Sequence, residues 1–330
     1  MKKLYSDFPQ IAARDDLPMN IPESRGGNPS KVKGLWIEDL IADLVLGAPE
    51  NRLGDFGGSP VFDRPFIGVA DGDDELFEVF CQAVSSRHLR PREILERHSP
   101  KKGDFRHVRV ISWALPFTAE VRRSNRGETW PSPLYSIARN NGGGLNYHLS
   151  RRLTAIFEKR GTAAVSPLLL DEYDAFWDPE RVISSTWSER HVAYAAGLGG
   201  FGLNGSLITP AGSHVRLGSI VVDYPLDRIP RKEDGYRSRC FETGGEDCGA
   251  CIKRCPAKAI TERGLDKQKC NERREAIRAR FLEEYAKKYR MLPSPIAKSG
   301  KKHLGFSLGC ALCQCGVPCE GTDPNLKKSS

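Results

Sequence analysis

Apolar side chains in "KGLWIEDLIADLVLG" fall on one helical face: Trp36, Ile37, Leu40, Ile41, Leu44 and Val45 recur at helical spacing, which predicts an amphipathic helix. "FIGVA" follows a proline and reads as a short buried strand. "DELFEVFCQAVSS" returns to helical spacing. "FRHVRVISWALPF" reads as a strand ended by Pro116. In "LNYHLSRRLTAIFEKRG" the residues Leu149, Leu153, Ile156 and Phe157 share a face, and Gly161 stands where a helix C-cap is expected. "GTAAVSPLLL" and "HVRLGSIVVDYPL" predict two further strands, with a helix over 188–196 between them. Alternation of this kind predicts an α/β or α+β domain over residues 33–230. The preceding residues 1–32 are polar and rich in Pro, Gly and Asn, and read as an extended arm.

Residues 197–202, "GLGGFG", spell the G-x-G-x-x-G pattern of a dinucleotide-binding turn, and Asp223 follows about twenty residues later. That motif needs a strand before it and a helix from its third glycine. Here "WSERHVAYAA" runs into the glycines as a helix, and Gly205, Pro210 and Gly212 break any helix after them. The nicotinamide or flavin reading therefore fails on context.

Composition adds bounds. The 330 residues are 39% hydrophobic and 28% charged, as expected of a folded chain with a core. No apolar run approaches the roughly 18 residues of a membrane helix, and neither a secretory nor a twin-arginine signal is present, so the expectation is a cytoplasmic protein with no membrane partner. The net charge of +8 permits phosphate, nucleic acid or an acidic electron carrier and selects none of them.

Cysteine placement is the informative feature. Cys81 stands alone on an apolar helical pattern and reads as a buried structural thiol. The other nine lie between Cys240 and Cys319, a clustering that points to metal in a reducing compartment. "CGACIKRCP" places Cys248, Cys251 and Cys255 at the last three positions of the ferredoxin pattern C-x2-C-x2-C-x3-C-P, and Cys240 supplies the displaced first thiol. A second group offers Cys310 and Cys313 as a C-x2-C pair, then Cys319, with Cys270 outlying. Shared as in two-cluster ferredoxins, the thiols divide into Cys240, Cys248, Cys251 and Cys319 for one [4Fe–4S] cluster and Cys270, Cys310, Cys313 and Cys255 for the other. Cys315 is left over as a possible substitute. Zinc, which tolerates many spacings, is the competing metal. Between the groups, "NERREAIRARFLEEYAKKYRM" carries the stripe Ile277, Phe281, Leu282, Tyr285 and Tyr289 and reads as a packing helix with a solvated charged face. "KSGKKH" offers a docking patch for an acidic donor such as flavodoxin.

The stretch "YAAGLGGFGLNGSLITPAGSHVRLGSIVVDYPL", followed by "CIKRCPAKAI" and "CALCQCGVPCE", resembles the superfamily of reductive dehalogenases and epoxyqueuosine reductases, in a less characterised anaerobic branch. The resemblance covers roughly residues 130–320. It implies a nitroreductase-like α/β (α+β) domain that binds base-off cobalamin, followed by a two-cluster ferredoxin-like module over 231–330. It also implies that Gly197, Gly199, Gly200 and Gly202 let backbone approach the macrocycle, with Asn204, Thr209 and Ser213 binding its amides or phosphate.

"NYH" at 146–148 stands where epoxyqueuosine reductases carry Asp-Tyr-His. Their Asp is the proton donor; Asn146 has no proton to give, which sets this chain apart. Tyr147 is the favoured acid instead, because a phenol stays protonated at neutral pH and can donate as charge develops. His148 is a second donor or a helix cap, and Arg190 of "WSERH" a possible anion ligand. The expected activity is a reductase passing single electrons through two [4Fe–4S] clusters to a corrinoid, to break a C–halogen or C–O bond of a small substrate. Its expected donor is reduced ferredoxin or flavodoxin. A corrinoid-free electron-transfer protein and a tRNA-modifying epoxyqueuosine reductase are the alternatives. The chain ends eleven residues after Cys319, so no HEAT-like tRNA-docking tail is expected, and a nucleic-acid partner is disfavoured.

Overall fold

The computed structural model describes residues 35–127, 129–231, 235–242, 247–291, 294–298 and 301–328. The arm read over residues 1–32 and part of "KSGKKH" lie outside the described residues.

Four strands form the central sheet: β1 (Phe66–Asp71), β2 (Val108–Pro116), β3 (Ala164–Val165) and β4 (Val215–Asp223). Their order is β1-β2-β4-β3, and every pairing is antiparallel, so the α+β alternative holds. The β2–β4 ladder runs from Val215 opposite Pro116 to Asp223 opposite Val108.

Both faces of the sheet are covered. On one, α1 (Leu35–Leu46) and the long α5 (Pro133–Lys159) pack Ile37, Ile41, Leu149 and Phe157 against Ile111, Trp113, Ile220 and Val222. On the other, α2 (Leu76–Ala83), α3 (Pro91–His98) and α6 (Glu189–Ala195) pack Phe80, Ile94, Leu95 and Val192 against Val110 and Val221. Alternate residues of one strand thus enter different cores, which is why β2 and β4 read as nearly continuous apolar runs. Each such buried side chain contributes roughly 1.5–3 kcal/mol relative to exposure.

Two elements differ from their sequence reading. Helix α5 begins twelve residues before Leu145, at Pro133, behind the Ser132 side chain, which accepts from the Tyr135 backbone N–H at 3.0 Å. The run "NNGGG" inside it argues against a helix by propensity. Packing overrides this: a Cβ on Gly142 would meet the Phe62 ring at 2.5 Å, so the glycine admits an aromatic side chain. In "GTAAVSPLLL" only Ala164–Val165 pair as a strand; Pro167–Leu169 turn as a 3-10 helix. The short helix α4 (Ala119–Ser124) links β2 to α5.

The cysteine-bearing region adds α7 (Ala250–Arg254) and α8 (Lys267–Glu284). Within α8, Ile277 and Phe281 are buried, whereas Leu282 faces solvent and Tyr285 and Tyr289 follow the helix end. Arg273 and Arg280 of its charged face stack over Trp130, at 3.8 and 4.6 Å from the ring centroid. Phe281 and Leu308 join the same core as α1 and α5, so the cysteine loops are held by the main body of the fold.

Cys81 is half-buried, with its thiol donating to the Phe77 and His88 carbonyls at 3.4 Å each, and reads as structural. No helix among the described residues is long and apolar enough to cross a membrane.

Candidate active site

The glycine segment forms a tight hairpin. Helix α6 stops at Gly197, which adopts φ +77°, and Gly200–Phe201 pairs with Leu207–Ile208. Gly199 packs so closely that a Cβ there would lie 2.1 Å from the Ile208 carbonyl oxygen. Gly200 packs on Arg239, and a Cβ on Gly212 would lie within 2.7 Å of backbone atoms of Cys319, Glu320 and Thr322. A Cβ on any of the glycines expected to approach a macrocycle, Gly197, Gly199, Gly200 and Gly202, would meet protein atoms within 3.2 Å.

Polar residues of this segment face the same way. The Asn204 carboxamide oxygen accepts from the Ser206 backbone N–H at 3.0 Å, and its Nδ2 donates to the Cys313 carbonyl at 3.4 Å. The Ser213 hydroxyl donates to Cys319 Sγ at 3.8 Å, and Thr209 closes its own turn on the Gly212 carbonyl at 2.9 Å.

Cys240, Cys248, Cys251 and Cys319 line one small cavity, together with Gly202, Asn204 and Ile208. Burial pushes the Cys251 thiol up to about 12, and Cys319, Cys240 and Cys248 add to the shift. Burial likewise raises Cys319 to about 11, with Cys240 and Cys248 again its neighbours. The second set converges separately. Burial raises Cys313 well above the ordinary thiol range, reinforced by Cys310, Cys255 and Cys270, and then by Cys251 of the first set. Cys310 is raised by burial, with Cys255 and Cys270 facing it. Cys240, Cys248 and Cys319 thus stand around Cys251, and Cys255, Cys270 and Cys310 around Cys313, with Cys251 near both groups. Among the described residues, no three His, Cys, Asp or Glu side chains converge closely enough to hold a single metal ion.

The two loops share a local design. Gly249, after Cys248, and Ala311, after Cys310, both turn through the left-handed region, at φ +50° and +49°. The turn aims the next C-x2-C thiol inward, at Ala311 against the steric cost of a Cβ. The Glu242 carboxylate fixes the first loop by accepting from the Cys248 and Gly249 N–H groups at 2.9 and 2.5 Å. The Ala259 N–H donates to Cys255 Sγ at 3.3 Å. Cys315 points elsewhere: its buried sulfur meets Asn125 Nδ2 at 3.5 Å and His214 Nδ1 at 3.4 Å.

A second cavity, of about 270 Å³, opens between α5, α6 and β4, beside the second quartet. Tyr147 lines it, as do Asn146, Arg139, Tyr173, Glu189, Arg190 and Arg216. Ser307, three residues before Cys310, closes one side. A Cβ on Gly309 would meet the Arg139 guanidinium at 2.5 Å, so this arginine lies directly against the loop that leads into Cys310.

Of the three residues read as catalytic, Asn146 and Tyr147 line this cavity. Asn146 is committed to structure, its Oδ1 accepting from Trp113 Nε1 at 2.7 Å and its Nδ2 donating to the Leu217 carbonyl at 3.3 Å. His148 is not among the cavity-lining residues; burial lowers its pKa, opposed by Glu50. Arg190 lines the rim, and its guanidinium donates to the Gly205 carbonyl. Sequence reasoning missed Arg139, Tyr173 and Arg216. Arg216 carried a signal: it is a charge inside the otherwise apolar strand "VRLGSIVV".

No family model matches the chain. An 85-residue stretch is 38% identical to epoxyqueuosine reductase of Staphylococcus aureus, covering 25% of this chain and 20% of that protein. The Bacillus cereus epoxyqueuosine reductase is 39% identical over 85 residues, with the same coverage. The match therefore spans about a fifth of the length of these curated relatives. Among solved structures, a reductive dehalogenase is similar at a TM-score of 0.44 and 16% identity, covering 77% of this chain and 31% of that one. An epoxyqueuosine reductase with a tRNA stem loop is similar at 0.42 and 18%, covering 81% and 66%. Over the matched stretch, the chain is similar to epoxyqueuosine reductases, one of the two families that the sequence resembled.

Proposed function

We propose that this chain is an iron–sulfur oxidoreductase whose two thiol quartets hold [4Fe–4S] clusters and whose substrate is reduced in the cavity lined by Tyr147. The observation that carries this reading is the pair of quartets with that cavity at its edge. Thiols gathered around a shared space, without converging on one point, suit a cluster several atoms wide better than a lone tetrahedral zinc. When bound, the clusters supply electrons one at a time.

The chain's own residues do the remaining work. N–H and O–H groups of Ala259 and Ser213 point at cluster thiols, which is one of the levers on reduction potential. Arg139, between the cluster loop and the cavity, places positive charge where negative charge develops on the substrate. Tyr147 delivers the proton. Reduced ferredoxin or flavodoxin is the proposed donor, and the +8 net charge suits an acidic partner.

The corrinoid implied by the resemblance does not fit the described residues. The cavity of about 270 Å³ lies below the roughly 300–1,000 Å³ of sites for drug-sized ligands, and a corrinoid is larger than those. The glycine faces assigned to it are filled by protein. No step is assigned to cobalt. A second reading, reduction of a tRNA nucleoside, is favoured by the names of the curated relatives.

The test is anaerobic reconstitution, with cobalamin offered, followed by metal analysis and a tRNA-binding assay. The expected result is about eight irons per chain, no retained cobalt, and no RNA shift. Iron near zero overturns the reading. Retained cobalt restores the corrinoid route, and a shift that weakens steeply with salt favours the tRNA reading.

A further inference from the structure

Arg139, Arg216 and Glu189 line the 270 Å³ cavity, and each has one deeply buried side-chain atom without a hydrogen-bond partner: Arg139 Nε, Arg216 Nε and Glu189 Oε1. Buried polar groups are nearly always paired, so three orphans around one cavity need a reason. Two are donors on cations. Arg216 also donates from Nη2 to the Arg139 carbonyl at 2.6 Å and toward the Ser307 hydroxyl at 3.4 Å, which fixes the fork in place. The only carboxyl in this lining, Glu189, has its other oxygen engaged by the Ser219 hydroxyl at 2.7 Å, and Ser219 in turn accepts from Trp187 Nε1 at 2.9 Å.

The electrostatics agree. Burial, with Arg139 close by, lowers Arg216 to about 9, and burial pushes Glu189 up to about 7. Two guanidinium groups lining one cavity whose lining carboxyl is not fully charged are a site short of one anion. Arginine forks match planar and tetrahedral oxyanions alike.

We infer that this cavity binds a small oxyanion, the carboxylate or phosphate group of the substrate, between Arg139 and Arg216, with the Glu189 carboxyl donating to it from the third side. The inference rests on the proposed function only in calling that anion part of the substrate. Around Glu189 stand Arg139 and Tyr147 of α5, Arg216 of β4, Tyr173 of the preceding loop and Arg190 of its own helix. None of these supplies a competing negative charge while the phenols stay protonated. Ionised Glu189 repels the anion and protonated Glu189 donates to it, so binding strengthens as pH falls through about 7.

The experiment is calorimetric titration of the reconstituted protein with acetate, benzoate and inorganic phosphate, with acetamide and benzamide as neutral controls, alongside iron analysis. Saturable binding of the anions alone is expected, weakened at least tenfold in Arg216→Gln and Arg139→Gln. Arg216→Lys keeps the charge but loses the fork, and should weaken binding with a circular dichroism spectrum like wild type. Glu189→Gln should retain binding of acetate and lose its pH dependence between 6 and 8. A preference for phosphate or for carboxylate identifies the source of the anion. No anion binding in a protein holding about eight irons overturns the inference and leaves the oxidoreductase reading intact. Anion binding in a protein that takes up no iron does the reverse. Equal binding by the wild-type, Arg139→Gln and Arg216→Gln proteins also overturns the inference.

Discussion

His88 shows how single side chains set the tolerance of this fold. Its Nε2 accepts from the Ser188 backbone N–H at 3.1 Å, so Nδ1, 3.0 Å from the Leu89 carbonyl, carries the proton of a neutral ring. Burial lowers its pKa from the ordinary 6.5 to about 4. Between those values the unfolded chain binds the extra proton and the folded chain does not. Stability is therefore fully present above about pH 6.5 and is lost as pH falls toward 4, by on the order of 3 kcal/mol from this group. Urea unfolding at pH 7 and pH 4.5 should show the loss, and His88→Gln should reduce it. Asn146 makes the complementary point. From sequence it reads as a lost proton donor; in the fold it ties Trp113 of β2 to α5 and caps the Leu217 carbonyl. Asn146→Ala leaves a buried indole N–H unpaired and should cost about 1–3 kcal/mol in the same assay. The role of Asn146 was hidden in the sequence because its partner lies 33 residues away on another element.

At the scale of elements, β2, β4, α1 and α6 were legible because apolar spacing is a local property, and each lies where its spacing predicts. The start of α5 was not, because helix propensity speaks against "NNGGG" and the Phe62 ring that packs on Gly142 is distant in sequence. The hairpin at 197–208 was half legible. Its glycines signalled close approach, but what approaches is the Ile208 backbone at Gly199 and the Arg239 side chain at Gly200. Gly199→Ala places a methyl 2.1 Å from a carbonyl oxygen and should destabilise by about 1–3 kcal/mol, with iron lost from the adjacent quartet. Gly54→Ala, whose Cβ meets nothing within 4 Å, should stay within about 0.5 kcal/mol. Equal thermal stability and iron content in the two variants would show that the hairpin does not support the cluster site.

For the molecule as a whole, the central fact is that the core on the α1–α5 face of the sheet extends into the cysteine region. Phe281 and Leu308 of the cysteine region pack with α1, α5 and the sheet, and the Asn125 carboxamide donates to the Cys310 carbonyl at 3.2 Å. The cluster loops and the Tyr147 cavity are held by the same packing, so their spacing is fixed when the core forms. Cys248, Cys251 and Cys255 were readable as one group, since C-x2-C-x3-C-P is a local signature; the arginine-lined cavity was not, since its walls come from 139, 189, 216 and 307.

The most direct test of the account is iron content in two double variants. In the crossed arrangement Cys255 serves the second quartet while Cys251, four residues earlier, serves the first. Cys255→Ser with Cys310→Ser should therefore empty one site and retain about four irons per chain. Cys251→Ser with Cys255→Ser should empty both and retain almost none. The opposite ranking, or equal iron in the two, would contradict the assignment of thiols on which the proposed function stands.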